Sequence, residues 1–202
     1  PGFYTLGKIF EKYGAKLASL DAAPVKKSLK GASVYIIVDP DHKKDNPHPN
    51  FVNAKDIKAI SKWVKSGGTL FLMANDSSNC DLTYFNKLAN AFGINYEFKN
   101  LNMVKNDTYV QGEVWPEGSS IFKNKYRLFL KELSPVTVSG TAKADVKKNE
   151  DIIIATASYG KGKVVAVGDP WLYNEYVDGR KLPAIYENYK GAEDLAKWLL
   201  AN

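Results

Sequence analysis

Three apolar runs, each halted by acidic or amide residues, constrain this chain more than any other feature. Val34-Tyr35-Ile36-Ile37-Val38 stops at Asp39-Pro40, Thr69-Leu70-Phe71-Leu72-Met73 stops at Ala74-Asn75-Asp76, and Val164-Val165-Ala166-Val167 stops at Gly168-Asp169-Pro170. A strand with one wet face alternates apolar and polar residues. A short run without alternation, bounded by turn residues, reads as a strand shielded on both faces, as in a parallel sheet covered by helices. In open sheets of that kind ligands bind beyond the carboxyl ends of the strands. Asp39, Asp76 and Asp169 are therefore expected on one rim, and the loop from Asp169 to Tyr176 is the first place to look for function.

Helical spacing supplies the covering layers. Phe3, Leu6, Phe10 and Tyr13 lie one turn apart before Gly14. Asn53 can cap a helix running to Ser66, with Ile57, Ile60 and Val64 on one face and Gly67-Gly68 as its stop. Asp81 opens a third helix with Phe85, Leu88 and Phe92 inward and Gly93 at its end, and a final helix carries Leu195, Trp198 and Leu199. Short strands are predicted at Lys16 to Leu20 and at Asn95 to Phe98, with a weak helical turn after Pro24. This alternation predicts an α/β domain with helices on both faces of a parallel sheet.

The pattern changes near residue 100. Tyr109 to Trp115, Arg127 to Leu133, Thr137 to Val138, Ala142 to Val146 and Ile152 to Ser158 are short β-prone runs, and Tyr159-Gly160-Lys161-Gly162 joins the last of them to Lys163 to Val167 as a hairpin. They predict an antiparallel β extension, at about 109–167, of a single domain spanning 1–202. A doubly wound domain commonly begins with a central strand, yet this sequence opens at Pro1-Gly2-Phe3 in a helical pattern. Either the sheet closes without that first strand, or the chain is a piece cut inside the domain. In the second case Lys16 to Leu20 and Val34 to Val38 flank a lane that must be closed by direct pairing or filled by another segment.

Composition narrows the partners. The net charge of +6 is mostly lysine, with arginine only at Arg127 and Arg180, and reads as a solvated surface; no nucleic-acid partner is expected. No apolar run is long enough to span a bilayer, so no membrane is expected either. Cys80 is the single cysteine, which excludes an internal disulfide and a cysteine metal site. His42 and His48 read as loop residues, so no metal site is expected, and Gly160-Lys161-Gly162 is too short to cradle a phosphate; no cofactor is expected.

The candidate ligand-binding residues are Asp39, Asp41, Asn75, Asp76, Asp169, Trp171, Tyr173, Asn174 and Glu175. Carboxylates and amides accept hydrogen bonds from sugar hydroxyls while flat rings cover apolar C–H faces, a mixture that suits an oligosaccharide. The competing reading of each Asp is turn chemistry, since Asp after a strand bonds its own backbone. No catalytic residue is assigned. The strand ending at Met73 is followed by Ala74-Asn75-Asp76-Ser77-Ser78-Asn79-Cys80, without the tight glycine turn that exposes a nucleophile. Cys80 reads as a buried thiol. An acid pair such as Asp76 and Asp169 is the hydrolytic alternative, and a purely structural interaction domain is the third reading.

The ending Val167-Gly168-Asp169-Pro170-Trp171-Leu172-Tyr173-Asn174-Glu175-Tyr176-Val177-Asp178-Gly179-Arg180-Lys181-Leu182-Pro183, with Tyr186-Glu187-Asn188-Tyr189-Lys190 and Asp194-Leu195, resembles the C-terminal, glutamine-amidotransferase-like accessory domain of Bacteroides-type unsaturated rhamnogalacturonyl hydrolases of glycoside hydrolase family 88/105. Leu6-Gly7-Lys8-Ile9-Phe10-Glu11-Lys12-Tyr13-Gly14-Ala15 and Tyr35-Ile36-Ile37-Val38-Asp39-Pro40-Asp41 are similar as well. The resemblance implies a three-layer α/β/α sheet, flavodoxin-like or class I glutamine-amidotransferase-like, without amidotransferase chemistry. It implies export to the periplasm or cell exterior with an attached catalytic domain that acts on pectin fragments. It supplies no catalytic site for this chain.

Overall fold

The computed structural model describes residues 2–201; Pro1, where the sequence opens, and Asn202 lie outside the described residues. The chain runs α1 (Tyr4–Lys12), β1 (Val34–Val38), α2 (Ala54–Lys65), β2 (Thr69–Met73), α3 (Leu82–Ala89), β3 (Ile94–Tyr96), β4 (Glu113–Val114), β5 (Leu128–Phe129), β6 (Val136–Val138), β7 (Ala142–Lys148), β8 (Asp151–Tyr159), β9 (Gly162–Val167), α4 (Asn174–Val177) and α5 (Asn188–Leu200). The main sheet has the order β1-β2-β9-β8-β6-β3, with β7 beside β8, and β4 and β5 form a separate pair. β1, β2 and β9 are parallel to one another; the β8–β9, β6–β8, β3–β6 and β7–β8 pairs are antiparallel.

The unalternated apolar runs are explained by which face each residue meets. Successive side chains of a strand point to opposite faces. Phe71, Met73, Val165 and Val167 join Leu6, Phe10, Leu195 and Leu199 in one core beneath α1 and α5. Leu70, Leu72, Val164 and Ala166 join Ile60, Val64, Phe85 and Leu88 in the other, beneath α2 and α3. β2 is buried at every position. The fold is thus a three-layer α/β/α sandwich with an antiparallel extension.

Local chemistry fixes the elements as the sequence indicates. The Asn53 side chain accepts from the Lys55 and Asp56 N–H groups, and the Asp56 carboxylate accepts from the Asn53 N–H, closing a capping box at the start of α2. Asn86 of α3 behaves as a substitute strand: its amide donates to the Tyr96 carbonyl at 2.9 Å and accepts from the Tyr96 N–H at 2.7 Å, which ties helix to β3. The β8–β9 hairpin closes on the Tyr159–Gly162 pair, with Gly160 at φ 61° in its turn.

Several expectations are corrected. Lys16 to Leu20 forms no strand; it runs as exposed coil beside β1. Tyr109 to Trp115 is mostly a single 3₁₀ turn, and only Glu113 and Val114 pair with Leu128 and Phe129, so the predicted run from Arg127 to Leu133 shrinks to two residues. Strand β3, read as part of a parallel alternation, lies at the sheet edge beyond β6 and pairs with β6 alone, in antiparallel sense.

Close backbone approach sets one strict requirement. Gly168, where β9 leaves the sheet, accepts from the Ser134 N–H at 3.1 Å, and a Cβ built there collides with the Ser134 carbonyl oxygen. Overpacking against backbone has no flexible side chain to yield. Gly168→Ala is expected to lower unfolding stability by about 2 kcal/mol or more, measured by urea denaturation.

Candidate functional site

The carboxyl ends of β1, β2 and β9 converge as the sequence reading requires. Asp39 N–H donates to the Met73 carbonyl and Ala74 N–H to the Val167 carbonyl, so the three strand ends stay in register into the rim. Asp39 adopts φ 43°, a left-handed conformation that Asp tolerates better than most residues. Its Oδ2 accepts from Asn75 Nδ2 at 3.1 Å and from the Tyr173 hydroxyl at 3.2 Å, while its buried Oδ1 has no hydrogen-bond partner among the described residues. Burial, partly offset by these two donors, raises the Asp39 carboxyl above the usual range. The Tyr173 hydroxyl is raised in turn, by burial first and the neighbouring Asp39 second.

The other rim residues are occupied by the fold itself. Asp76 is buried and accepts from the Ser78 N–H at 2.8 Å, the Ser78 hydroxyl and Asn79 Nδ2 at 2.6 Å, an Asx-type turn that leaves little capacity for a ligand. Asp169 Oδ2 accepts from the Lys131 N–H at 2.7 Å; burial drives its carboxyl well above the ordinary range, against the pull of Lys131. Asn174 Oδ1 accepts from the Thr5 N–H at 2.8 Å and its own N–H donates to the Gly2 carbonyl at 2.7 Å, so it anchors the start of α1. Asp41 accepts from Asn46 Nδ2 at 3.1 Å within an exposed loop. Glu175 is half-buried in the first turn of the short helix α4.

Trp171 departs furthest from its expected place. It is 1% exposed and sits in the core under α5, edge-on to Phe122 at a centroid distance of 6.2 Å. Pro170 turns the chain inward immediately after Asp169, and a sequence pattern alone does not distinguish that direction from an outward one. The rim therefore gathers Asp39, Asn75, Asp76, Asp169 and Tyr173 but has no aromatic wall from Trp171.

Cys80 is buried below this rim. Burial and the carboxylate of Asp39 push its thiol far above the usual range, the opposite of an activated nucleophile. His42 is held between the Ser78 carbonyl at 2.7 Å from Nε2 and Asp45 at 2.8 Å from Nδ1, and His48 is exposed. No group of three or more His, Cys, Asp or Glu residues placed to hold a metal ion occurs among the described residues.

A second surface was not legible in the sequence. Trp115, Arg127, Ile185, Tyr186, Glu187 and Tyr189 line an open cavity of about 670 Å³. Trp115 is 46%, Ile185 55% and Tyr189 40% exposed, unusual for residues of this size. The shelf is braced from below by Glu113: its Oε1 accepts the Trp115 indole N–H at 2.6 Å, and its Oε2 pairs with the Arg127 guanidinium at 2.6 Å. The guanidinium in turn lies 5.9 Å from the Trp115 ring centre and 5.3 Å from that of Tyr186. The only signal in the sequence was Trp115-Pro116 and Ile185-Tyr186 in turn-rich segments, where aromatic residues lack an amphipathic pattern to bury them.

No family model matches this chain, and no curated protein matches it. Solved structures do. The mmIFT52 N-terminal domain is 19% identical over 100% of this chain and 91% of its own, with a TM-score of 0.80. Cytoplasmic protein STM1381 from Salmonella typhimurium LT2 is 13% identical over 98% of this chain and 87% of its own, with a TM-score of 0.68. A beta-galactosidase from Rahnella sp. R3 is 14% identical over 96% of this chain but only 26% of its own, with a TM-score of 0.61. At these identities the likeness establishes the fold and leaves function to the residues.

Two outcomes are expected at the rim. A carboxyl whose folded pKa is raised contributes stability that is complete below its unfolded pKa and lost as pH rises through the folded one. Asp169→Asn keeps an acceptor for Lys131 but cannot ionise, so thermal midpoints measured from about pH 4 to pH 8 should shift in favour of the variant as pH rises. Iodoacetamide at neutral pH should leave Cys80 unmodified in the folded chain and label it fully in denaturant, as read by intact mass.

Proposed function

We propose that this chain is a non-catalytic accessory module of a glycan-degrading enzyme, working on pectin of the rhamnogalacturonan type beside an attached catalytic domain, and that it binds oligosaccharide on the Trp115–Tyr186–Tyr189 shelf. The observation that carries this reading is the braced, exposed aromatic surface. Rings held rigid before binding lose little entropy when a sugar's apolar face settles on them, and Arg127, Lys125, Lys190 and Glu187 stand around it as hydrogen-bonding groups. The rim offers less, since Asp76, Asp169 and Asn174 already accept from backbone N–H groups of the fold, of Ser78, Lys131 and Thr5 respectively. The same engagement disfavours the acid-pair hydrolase, and the buried, raised Cys80 thiol disfavours covalent catalysis. The fold-level likeness to part of a beta-galactosidase chain is compatible with such a module and adds no specificity of its own.

Calorimetric titration of rhamnogalacturonan oligosaccharides tests the proposal. Trp115→Ala is expected to weaken binding roughly tenfold or more, while Asp39→Asn leaves it unchanged. Absence of binding to the unaltered chain removes the carbohydrate reading; loss in Asp39→Asn with Trp115→Ala unaffected returns the site to the rim.

A further inference from the structure

β1 is an edge strand whose outer side is unfinished. The Thr69 N–H donates to the Ser33 carbonyl and the Asp39 N–H to the Met73 carbonyl. In a parallel ladder one residue directs both its N–H and its C=O to the same neighbour, and the next directs both away. Ser33, Tyr35, Ile37 and Asp39 therefore serve β2, and the backbone groups of Val34, Ile36 and Val38 point away from it. Among the described residues no backbone hydrogen bond joins β1 to the coil at 16–20. Every residue of β1 is only half-buried, although all five are apolar or aromatic.

The space beside this edge has the shape of a lane. A cavity of about 940 Å³ lies between β1 and the coil at 14–20, with Phe10 and Leu200 from the α1/α5 side and Leu29 from the other among its lining residues. Both cores reach it: Val34, Ile36 and Val38 pack toward the first, and Tyr35, Ile37 and Leu20 toward the second. A strand placed there is covered on both faces and so must be apolar on both faces, as β2 is from Leu70 to Met73. Its direction is set by α1. Gly2 lies at the rim, accepting from the Asn174 N–H, and Phe3 packs on Tyr173 with ring centres 4.5 Å apart. The helix then descends to Tyr13, which bonds Glu193 of α5. A strand connected directly to the start of α1 must rise to that same rim, parallel to β1.

We infer that this lane is the seat of one further β-strand, apolar on both faces and parallel to β1, which hydrogen-bonds Val34, Ile36 and Val38 and continues directly into α1. A strand that leads straight into α1 is the occupant, because that connection delivers it at the rim end in the required direction without crossing the covering helices.

Residue-resolved hydrogen exchange tests this on the chain as it stands and on two extended forms. One carries a five-residue Val/Ile strand and a three-residue turn fused ahead of Pro1; the other carries eight Gly and Ser residues. In the unextended chain the amides of Val34, Ile36 and Val38 should exchange fast and those of Tyr35 and Ile37 slowly. The Val/Ile extension should slow the three fast amides roughly tenfold or more and raise the thermal midpoint, with the protein still monomeric by light scattering; the Gly/Ser extension should do neither. Slow exchange at all five amides in an unextended monomer overturns the open edge. Protection that appears only with dimerisation assigns the edge to a second copy, and fast exchange that the Val/Ile strand fails to slow overturns the seat.

Discussion

Everything in this molecule is arranged around the complete enclosure of β2. Its five residues are buried without exception, between β1 and β9 in the sheet and between two helical layers above and below. A strand so placed leaves no room for an unpaired backbone group, and from Leu70 to Met73 it is apolar throughout, with Thr69 only at its entry. β1 and β9 flank it, both parallel to it, α2 and α3 cover one face and α1 and α5 the other, and the parallel sense brings the carboxyl ends of three strands to one rim. Gly168 is the local cost of the same arrangement, since the chain leaving β9 must pass against the Ser134 backbone.

The rim shows that strand ends can converge while their side chains serve the fold. Strand ends do converge there, and Asp39, Asn75 and Tyr173 do bond one another. Yet tight loops leave backbone N–H groups that the sheet does not use, and the nearest acceptors are the very carboxylates that sequence reasoning reserved for a ligand. Asp76 takes the donors of its own turn and Asp169 takes the Lys131 N–H. Local satisfaction wins because the donors are already in place and lose almost no further entropy, whereas an external ligand must be ordered first.

What the sequence made legible follows the strength of the local signal. The Asn53 cap, the Gly67-Gly68 stop, the Gly160-Lys161 turn and the buried apolar runs each carry a steric or hydrogen-bonding requirement that acts within a few residues. Lys16 to Leu20 carries no β-branched or aromatic residue and finds no pairing partner, and it forms no strand. Trp171 and Trp115 expose the same limit from opposite sides. One follows Asp169-Pro170 and turns into the core; the other precedes Pro116 and stays out, held by Glu113, a residue whose role is set by the β4–β5 pairing with Arg127 one strand away. Side-chain direction outside regular elements depends on such distant partners, and no periodicity records them.

The edge of β1 and the Trp115 shelf are both open to solvent but differ in whether their polar groups are partnered, and that difference separates their consequences. The edge of β1 lacks backbone partners, so whatever occupies it completes the sheet and stabilises the whole native state. The Trp115 shelf lacks nothing of its own: its indole, guanidinium and carboxylate are mutually satisfied, and it presents a finished face to solvent. The residues lining the shelf and those lining the lane have none in common. Sites without shared partners behave independently unless a two-state element connects them. A strand seated in the lane thus raises the temperature at which the shelf survives without altering the affinity of the shelf while the domain is folded.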